Sequence, residues 1–426
     1  MLSKEQQYIF EQYKLGKNIM MTGSAGCGKS YLIQQIAHDA KKSYNEKGMF
    51  QVTAMTGTAA VLLDCCAKTL HSWSGIGLGR LSIDRLIQKI KKDKQLFYRW
   101  TKIKLLIIDE VSMLSCHLFE LLYHIACAIR KNNKPFGGIQ IIFSGDFYQL
   151  PPIGKQNCLK STQFCFESLL WKHTFDTKVI MTNHFRQTNQ RFYLILEQIK
   201  KGKITKESFL TLRSRVDKLH DNKKGIKPVY LFPTQKMVHA MNLKKLDSLD
   251  AKSYHFKAKI HGHNKSYISE IDKMFNHSLY QKQLCLKIGC QVMCIVNLDI
   301  DKGICNGQTG IVVGFGDDSY PIVKLNNGKI HLFRPYTWKH ETIKDLSIEQ
   351  IPLVLSWAIT IHKSQGITLD MAYIDAGPSM FEKGQMYVAL SRVKSLDGLF
   401  LTNFKCSSIM PNYKVNQFIE TCNTIH

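Results

Sequence analysis

The sequence predicts an α/β protein built on parallel sheets, with a second α/β unit interrupted by a small barrel-like β insertion. Three observations predict it. Residues 18–22, 103–108 and 139–143 are apolar runs without alternation, the pattern of strands buried on both faces. Between such runs, Leu32, Ile33, Ile36, Ala37 and Ala40 recur at helical spacing, and each run ends in polar residues, as in doubly wound sheets. From about residue 291 the texture changes to short strands set by glycine and asparagine turns. There Val323-Lys324-Leu325 and residues 329–333 flank Asn327-Gly328, a strong hairpin signal. At 426 residues the chain has room for two or three domains.

In chain order, residues 1–16 read as an amphipathic helix. The strand at 18–22 leads into Gly23-Ser24-Ala25-Gly26-Cys27-Gly28-Lys29-Ser30, which satisfies G-x-x-x-x-G-K-[ST]. A strand, a glycine-bearing loop and a helix N-terminus together present backbone N–H groups to a phosphate. Lys29 can reach the outer phosphates, and the Ser30 hydroxyl can hold magnesium. A nucleoside triphosphate is the expected ligand.

Residues 50–55 form a second strand that ends in Thr56-Gly57-Thr58-Ala59-Ala60. Residues 70–79 read as loop, and residues 83–94 as a basic helix. The run at 103–108 ends in Asp109-Glu110, where Asp109 can hold the metal and Glu110 can orient and deprotonate water. The run at 139–143 leads to Gln149, placed to sense a γ-phosphate. The second unit is assembled from residues 229–232, 353–360 and 371–374. Arg186 and Arg392 lie outside the first unit. Either could stabilise charge on a transferring phosphoryl group or simply form an interdomain ion pair.

Lys and Arg number 58 against 33 Asp and Glu, a net charge of +25. That balance suits a protein that neutralises a phosphate backbone; generic basicity is the alternative. Hydrophobic content of 44% excludes a disordered chain. Thirteen cysteines without a C-x-x-C pair point to free thiols in a reducing compartment. Cys285, Cys290 and Cys294, with His261 and His263, match no standard zinc spacing and are expected to be structural filler. No apolar run is long enough to span a membrane, and no signal or transit segment is evident, so a soluble intracellular protein is expected. His71, Trp73, Phe147, Tyr148, Trp357, His362 and Lys363 are candidates for stacking on bases or gripping a backbone. Core placement is the competing reading for each, and the expected one for Trp357.

The full set of motifs resembles the superfamily-one DNA helicases of the Pif type, relatives of RecD, through nearly the whole chain. Gly23 to Ser30 is similar to motif I, Thr56 to Ala60 to motif Ia, Asp109 to Met113 to motif II, and Gly145 to Pro152 to motif III. Phe185-Arg186-Gln187 resembles the motif that delivers an arginine from the second motor. Thr360 to Leu369 is similar to motif V, and Tyr387 to Arg392 to motif VI. Residues 129–140 and 69–77 resemble segments particular to the Pif branch, and Leu2 to Gln6 resembles the adenine-reading glutamine motif.

The resemblance implies two RecA-like P-loop motor domains with parallel sheets, residues 1–180 and 181–426. It also implies a wedge near 75–100 and an SH3-like β insertion near 255–345. ATP and Mg2+ would be the cofactors, held by Gly23, Ser24, Ala25, Gly26, Cys27, Gly28, Lys29 and Ser30, with Gln6 on the adenine and Ser30 and Asp109 on the metal. Lys29, Asp109, Glu110, Gln149, Arg186 and Arg392 would be catalytic. Thr56, Gly57, His71, Phe147, Thr360, His362 and Lys363 would touch single-stranded or forked DNA.

The implied activity is 5′-to-3′ translocation and unwinding by a monomeric motor in replication, recombination, repair or telomere maintenance. G-quadruplexes and RNA–DNA hybrids are further expected substrates, and the nucleus is the expected location. Two departures stand out. The chain starts on the first motor helix, without the extension many relatives carry, and Cys27 replaces a small residue of the phosphate loop. A translocase that does not separate strands and an RNA helicase stay open. An idle scaffold would need a broken Lys29, Glu110 or Arg392, and all three are intact.

Overall fold

The computed structural model describes residues 2–424, apart from 45, 64, 78, 80, 155–157, 184, 186–188, 219–227, 263–266, 277–279, 297, 300–303, 305, 306, 341, 342 and 344. The chain divides into two compact units, Met1–Pro228 with Ile361–His426, and Val229–Thr360.

The first unit is organised on a seven-stranded parallel sheet. Its strands are β1 (Ile19–Gly23), β2 (Phe50–Ala54), β3 (Lys68–Thr69), β4 (Leu105–Asp109), β5 (Gln140–Gly145) and β6 (Thr177–Met181), with a short strand Asn423–Thr424. The spatial order is Asn423–Thr424, β6, β1, β5, β4, β2, β3. Every residue of β1 and β4 is buried, which is why both read as continuous apolar runs. Met20 joins the core on one face of the sheet, while Ile19 and Met21 join the core on the other. Met21 pairs with Ser144, and Ile108 with Phe143. That register brings the carboxyl ends of β1, β4 and β5 to one edge, so the loops bearing Lys29, Glu110 and Gln149 emerge side by side, where open α/β sheets bind ligands.

Two helices frame the phosphate loop. The helix Lys4–Lys14 opens with a reciprocal cap between Ser3 and Gln6. The helix Lys29–Ser43 buries Leu32, Ile33, Ile36, Ala37 and Ala40, the residues whose spacing marked it.

Residues 70–79 are not all loop. Thr69 caps a short helix, Leu70–Ser74, which Gly75 ends at φ +70°. The basic helix runs over Ile83–Lys92, and Asp93 then accepts from the Gln95 and Leu96 N–H groups to begin a second helix, Lys94–Lys102. Inside a charged run, that capping aspartate looks like one more polar residue. The second helix is fastened to Leu70–Ser74. Trp100 donates to the Ser74 carbonyl at 3.0 Å and packs on Trp73 with centroids 4.8 Å apart. Arg99 donates to the Ser72 and Trp73 carbonyls. From the helix Cys116–Arg130, Arg130 reaches the carbonyls of Trp100, Thr101 and Ile103 at 3.2, 2.8 and 2.9 Å, and that of Gly137 at 2.8 Å.

The second unit pairs Val229–Phe232 in parallel with Ala358–Thr360. Between them lies the expected antiparallel β insertion. Five strands run in the order Ile330–Leu332, Pro321–Leu325, Thr309–Phe315, Gln291–Cys294, Leu353–Leu355, and Gly328 turns the predicted hairpin at φ +85°. The apolar run 353–360, read as one strand, is two. Leu353–Leu355 pairs antiparallel with Gln291–Cys294, and the chain then breaks at Ser356-Trp357 before joining the parallel pair. Trp357 packs, partly buried, against the insertion core, which holds Cys290 and Cys294. No metal-ligating cluster occurs among the described residues, and no helix among them is long and apolar enough to cross a membrane.

Candidate active site

The phosphate loop, Asp109, Glu110, Gln149, Gly366 and Arg392 line one cavity of about 260 Å³ in the first unit. Gly28, at φ +87°, opens the helix Lys29–Ser43, and a Cβ there would lie 2.6 Å from the Gln6 amide. The left-handed backbone is what favours glycine there. Lys29 folds back along the loop, donating to the Gly23 and Ser24 carbonyls at 2.6 and 3.1 Å. Burial works against its ammonium, but Cys27, Asp146, Glu110 and Asp109 outweigh it and hold its pKa above the ordinary lysine value. Cys27 is fully buried beneath the loop, with its Sγ 3.5 Å from the Lys29 Nζ.

The two acids at the end of β4 differ. Asp109 is buried and accepts from the Ser144 hydroxyl at 2.7 Å; burial pushes its carboxyl up. Glu110 stands in left-handed backbone, φ 56° and ψ 40°. A non-glycine residue held there costs about 1–3 kcal/mol. Burial, then the charge of Asp109, pushes the Glu110 carboxyl up to about 7, against the opposing pull of Gln365, Lys29 and Arg392.

Several residues of this site were not singled out from sequence. Gln365 donates to Glu110 at 3.0 Å. Tyr387 donates to Asp146 at 2.7 Å while its oxygen accepts the phosphate-loop Ala25 N–H at 3.4 Å. The helix Gln190–Lys201 adds Glu197 and Lys200, both bonded to the Ser24 hydroxyl at 2.9 and 2.7 Å. Glu5 is buried and accepts from the backbone of Thr182 and Asn183. Phe185 lines the cavity with its backbone N–H on the Gly26 carbonyl at 3.0 Å.

Gln149 is 5% exposed, and its Oε1, like that of Gln365, has no hydrogen-bond partner among the described residues. Arg392 is buried and donates to the Val388 carbonyl at 2.9 Å and the Ser391 hydroxyl at 2.8 Å. Gln6 braces rather than lines the cavity: it accepts from the Ser3 N–H at 3.0 Å and donates to the Gly28 carbonyl at 3.3 Å. Arg186 lies outside the described residues.

The expected DNA contacts are scattered. Thr56 caps the helix Gly57–Leu62 by accepting from the Ala59 N–H. His71 is on Leu70–Ser74, and Thr360 is buried at a strand end of the second unit. His362 and Lys363 share a tight turn, and burial lowers the Lys363 pKa. Phe147 corrects the sequence reading. Its ring is fully buried among Phe164, Phe166, Trp171 and Phe418, so no face is left for a base. Trp73 is likewise core, packed on Trp100.

A phosphate loop, strand-end acids, a buried glutamine and a buried arginine around one cavity define a P-loop nucleoside triphosphatase. The PIF1-like helicase family matches residues 1–209, and the 2B domain of DNA helicase Pif1 matches residues 273–315. The chain is 32% identical over 501 residues to the ATP-dependent DNA helicase RRM3 of Saccharomyces cerevisiae, covering 100% of this chain and 68% of that protein. It is 35% identical over 425 residues to the human ATP-dependent DNA helicase PIF1, covering 99% of this chain and 64% of that one. The chain thus spans about two thirds of the length of these relatives. The crystal structure of Pif1 helicase from Candida albicans superposes with a TM-score of 0.89 at 35% identity, covering 99% of each chain. Pif1 from Bacteroides in complex with ADP-AlF3 and single-stranded DNA gives 0.79 at 30% identity, covering 99% of this chain and 97% of that one. This chain belongs to the PIF1-like helicase family, and its α/β sheets are RecA-like, as in those helicases.

Proposed function

We propose that this protein is an ATP-driven motor that moves 5′ to 3′ along single-stranded DNA and unwinds forked duplexes. The observation that carries the proposal is the gathering of Lys29, Asp109, Glu110, Gln149 and Arg392 around one cavity. Support from outside the site comes from the family and from relatives whose names describe ATP-dependent DNA helicases. The organisation proposed is two motors, residues 1–180 and 181–426, with a wedge near 75–100 and an SH3-like insertion near 255–345. The motor is proposed to work as a monomer in replication, recombination, repair or telomere maintenance, with G-quadruplexes and RNA–DNA hybrids among its substrates and the nucleus as its location.

The donor set suits a magnesium ion. Asp109 offers a buried carboxylate oxygen beside the exposed Ser30 hydroxyl, on the same cavity, and hard oxygen ligands of this kind favour magnesium. When bound, magnesium neutralises charge on the outer phosphates. Lys29 leaves the Gly23 and Ser24 carbonyls for the β- and γ-phosphates. Gly23 to Ser30 wrap the phosphates, and Gln6 turns from the Gly28 carbonyl to read the adenine. Glu110 takes a proton from the attacking water, and Gln365 holds that carboxylate in place. Gln149 and Arg392, with Arg186, meet the charge that builds on the transferred phosphoryl group. Thr56, Gly57, His71, Thr360, His362 and Lys363 are the proposed grip on DNA.

The test is ATP turnover with and without single-stranded DNA, beside Lys29→Ala and Glu110→Gln, on forked duplexes with a 5′ or a 3′ tail. The expected result is DNA-stimulated hydrolysis, reduced at least ~100-fold in both variants, with unwinding from the 5′ tail alone. Unstimulated wild-type hydrolysis would sink the proposal. Stimulation without unwinding would make the protein a translocase.

A further inference from the structure

The first unit carries an exposed aromatic side chain on a loop that is tied down around it. Residues 377–384 connect the strand Ala372–Ala376 to the helix Gln385–Ser391. Within them Phe381 leaves 61% of its surface exposed. Single exposed apolar residues are ordinary; the support of this one is not. The Phe381 N–H donates to the side chain of fully buried Gln385 at 3.1 Å. The neighbouring Glu382 carboxylate is 2.8 Å from the His362 Nε2. The rings of Phe381 and His362 lie within 18° of parallel, centroids 6.4 Å apart. Gly384 closes the loop at φ +78°, where a Cβ would meet the carbonyl oxygens of Tyr148 and Gln149 at 2.5 and 2.6 Å.

We propose that Phe381 is a base-stacking residue for single-stranded nucleic acid, with His362 as the second ring of the platform and Glu382 as the residue that positions His362. This rests on the motor reading. The occupant follows from the chemistry. Two near-parallel rings suit a flat π partner, and Lys363 beside them, in a chain of net charge +25, suits the phosphate that accompanies a base. The loop also abuts the backbone of Gln149, whose side chain lines the nucleotide cavity. A base on Phe381 is therefore two contacts away from the γ-phosphate sensor.

The experiment uses the full chain and oligo(dT) strands carrying 2-aminopurine at successive positions, with anisotropy for affinity and fluorescence quenching for stacking. Phe381→Ala is expected to weaken binding about 5- to 150-fold, the range of one stacked base. It should abolish quenching at one position and leave the slope of affinity against salt unchanged, because no phosphate contact is lost. Phe381→Trp should keep both affinity and quenching, which separates lost stacking from lost fold. Glu382→Gln should weaken quenching at the same position. Wild-type affinity and quenching in Phe381→Ala would overturn the inference alone, as would a loss that tryptophan does not restore. Wild-type protein that neither binds the strands nor hydrolyses ATP faster in their presence would overturn the motor reading and this inference with it.

Discussion

At the scale of single residues, the site is held by hydrogen bonds between positions far apart in the chain. Tyr387 is 241 residues from Asp146 and donates to it from full burial. Asp146 also accepts from the Tyr148 N–H at 3.1 Å, while the Gln149 amide stands at 3.5 Å. Tyr387→Phe keeps the ring and removes the strongest of these bonds, so stability should fall by about 1.5–3 kcal/mol, the worth of a hydrogen bond to a charged group. Urea unfolding measures this, and an unchanged midpoint would refute it. The KM for ATP should rise as well, because the Ala25 N–H loses its partner in the phosphate loop. Neither Tyr387 nor Gln365 was legible as a site residue. Each is an ordinary polar side chain whose role depends on a partner some 250 positions away. Lys29 and Asp109-Glu110 were legible because a few consecutive residues carry the whole message. Phe147 misled for the reverse reason: its neighbours look like loop, and the rings that bury it, Trp171 and Phe418, come from elsewhere in the chain.

At the scale of elements, the helices Ile83–Lys92 and Lys94–Lys102 form the proposed wedge, and side chains fasten the second helix at its C-terminal half. Trp100 and Arg99 tie the second helix to Leu70–Ser74, while Arg130 collects the three carbonyls at its C-terminal end. Those carbonyls are the groups a helix end leaves unsatisfied, and a cation is favoured there. Arg130→Ala should destabilise the protein by about 1–3 kcal/mol and speed hydrogen exchange across residues 94–102 while leaving residues 29–43 protected. It should reduce unwinding of a forked duplex more than DNA-stimulated hydrolysis. Equal loss of both activities would show that the clamp serves the whole motor. The strands buried on both faces were plain in the sequence. The second wedge helix was hidden because one capping aspartate, Asp93, is all that separates it from the first.

At the scale of the whole molecule, the net charge of +25 has a measurable signature. Affinity for single-stranded DNA should fall linearly with salt on logarithmic axes, by about 0.7 per phosphate contacted. Lys363→Ala should lower that slope by about 0.7. A flat line would mean that the charge serves something other than a nucleic acid backbone. The buried parallel strands and the antiparallel β insertion were readable from apolar texture and turn residues. The return of Asn423–Thr424 to the edge of β6 was not, since nothing local in that short strand records which sheet it joins.

That return sets an order of assembly. A nascent chain emerging through residue 228 already contains the phosphate loop, both acids and strands β1 to β6. It still lacks Arg392, Gln365 and Tyr387, the Phe418 ring that stacks on Phe166 at 4.1 Å, and the strand that pairs with the outer edge of β6. Until then β6 presents an open edge and the aromatic core an uncovered face, the two features that chaperones and aggregation compete for. Arg392 and the cover over the core arrive in the same stretch, so the cavity and the aromatic core close in one step, after the second unit has been made.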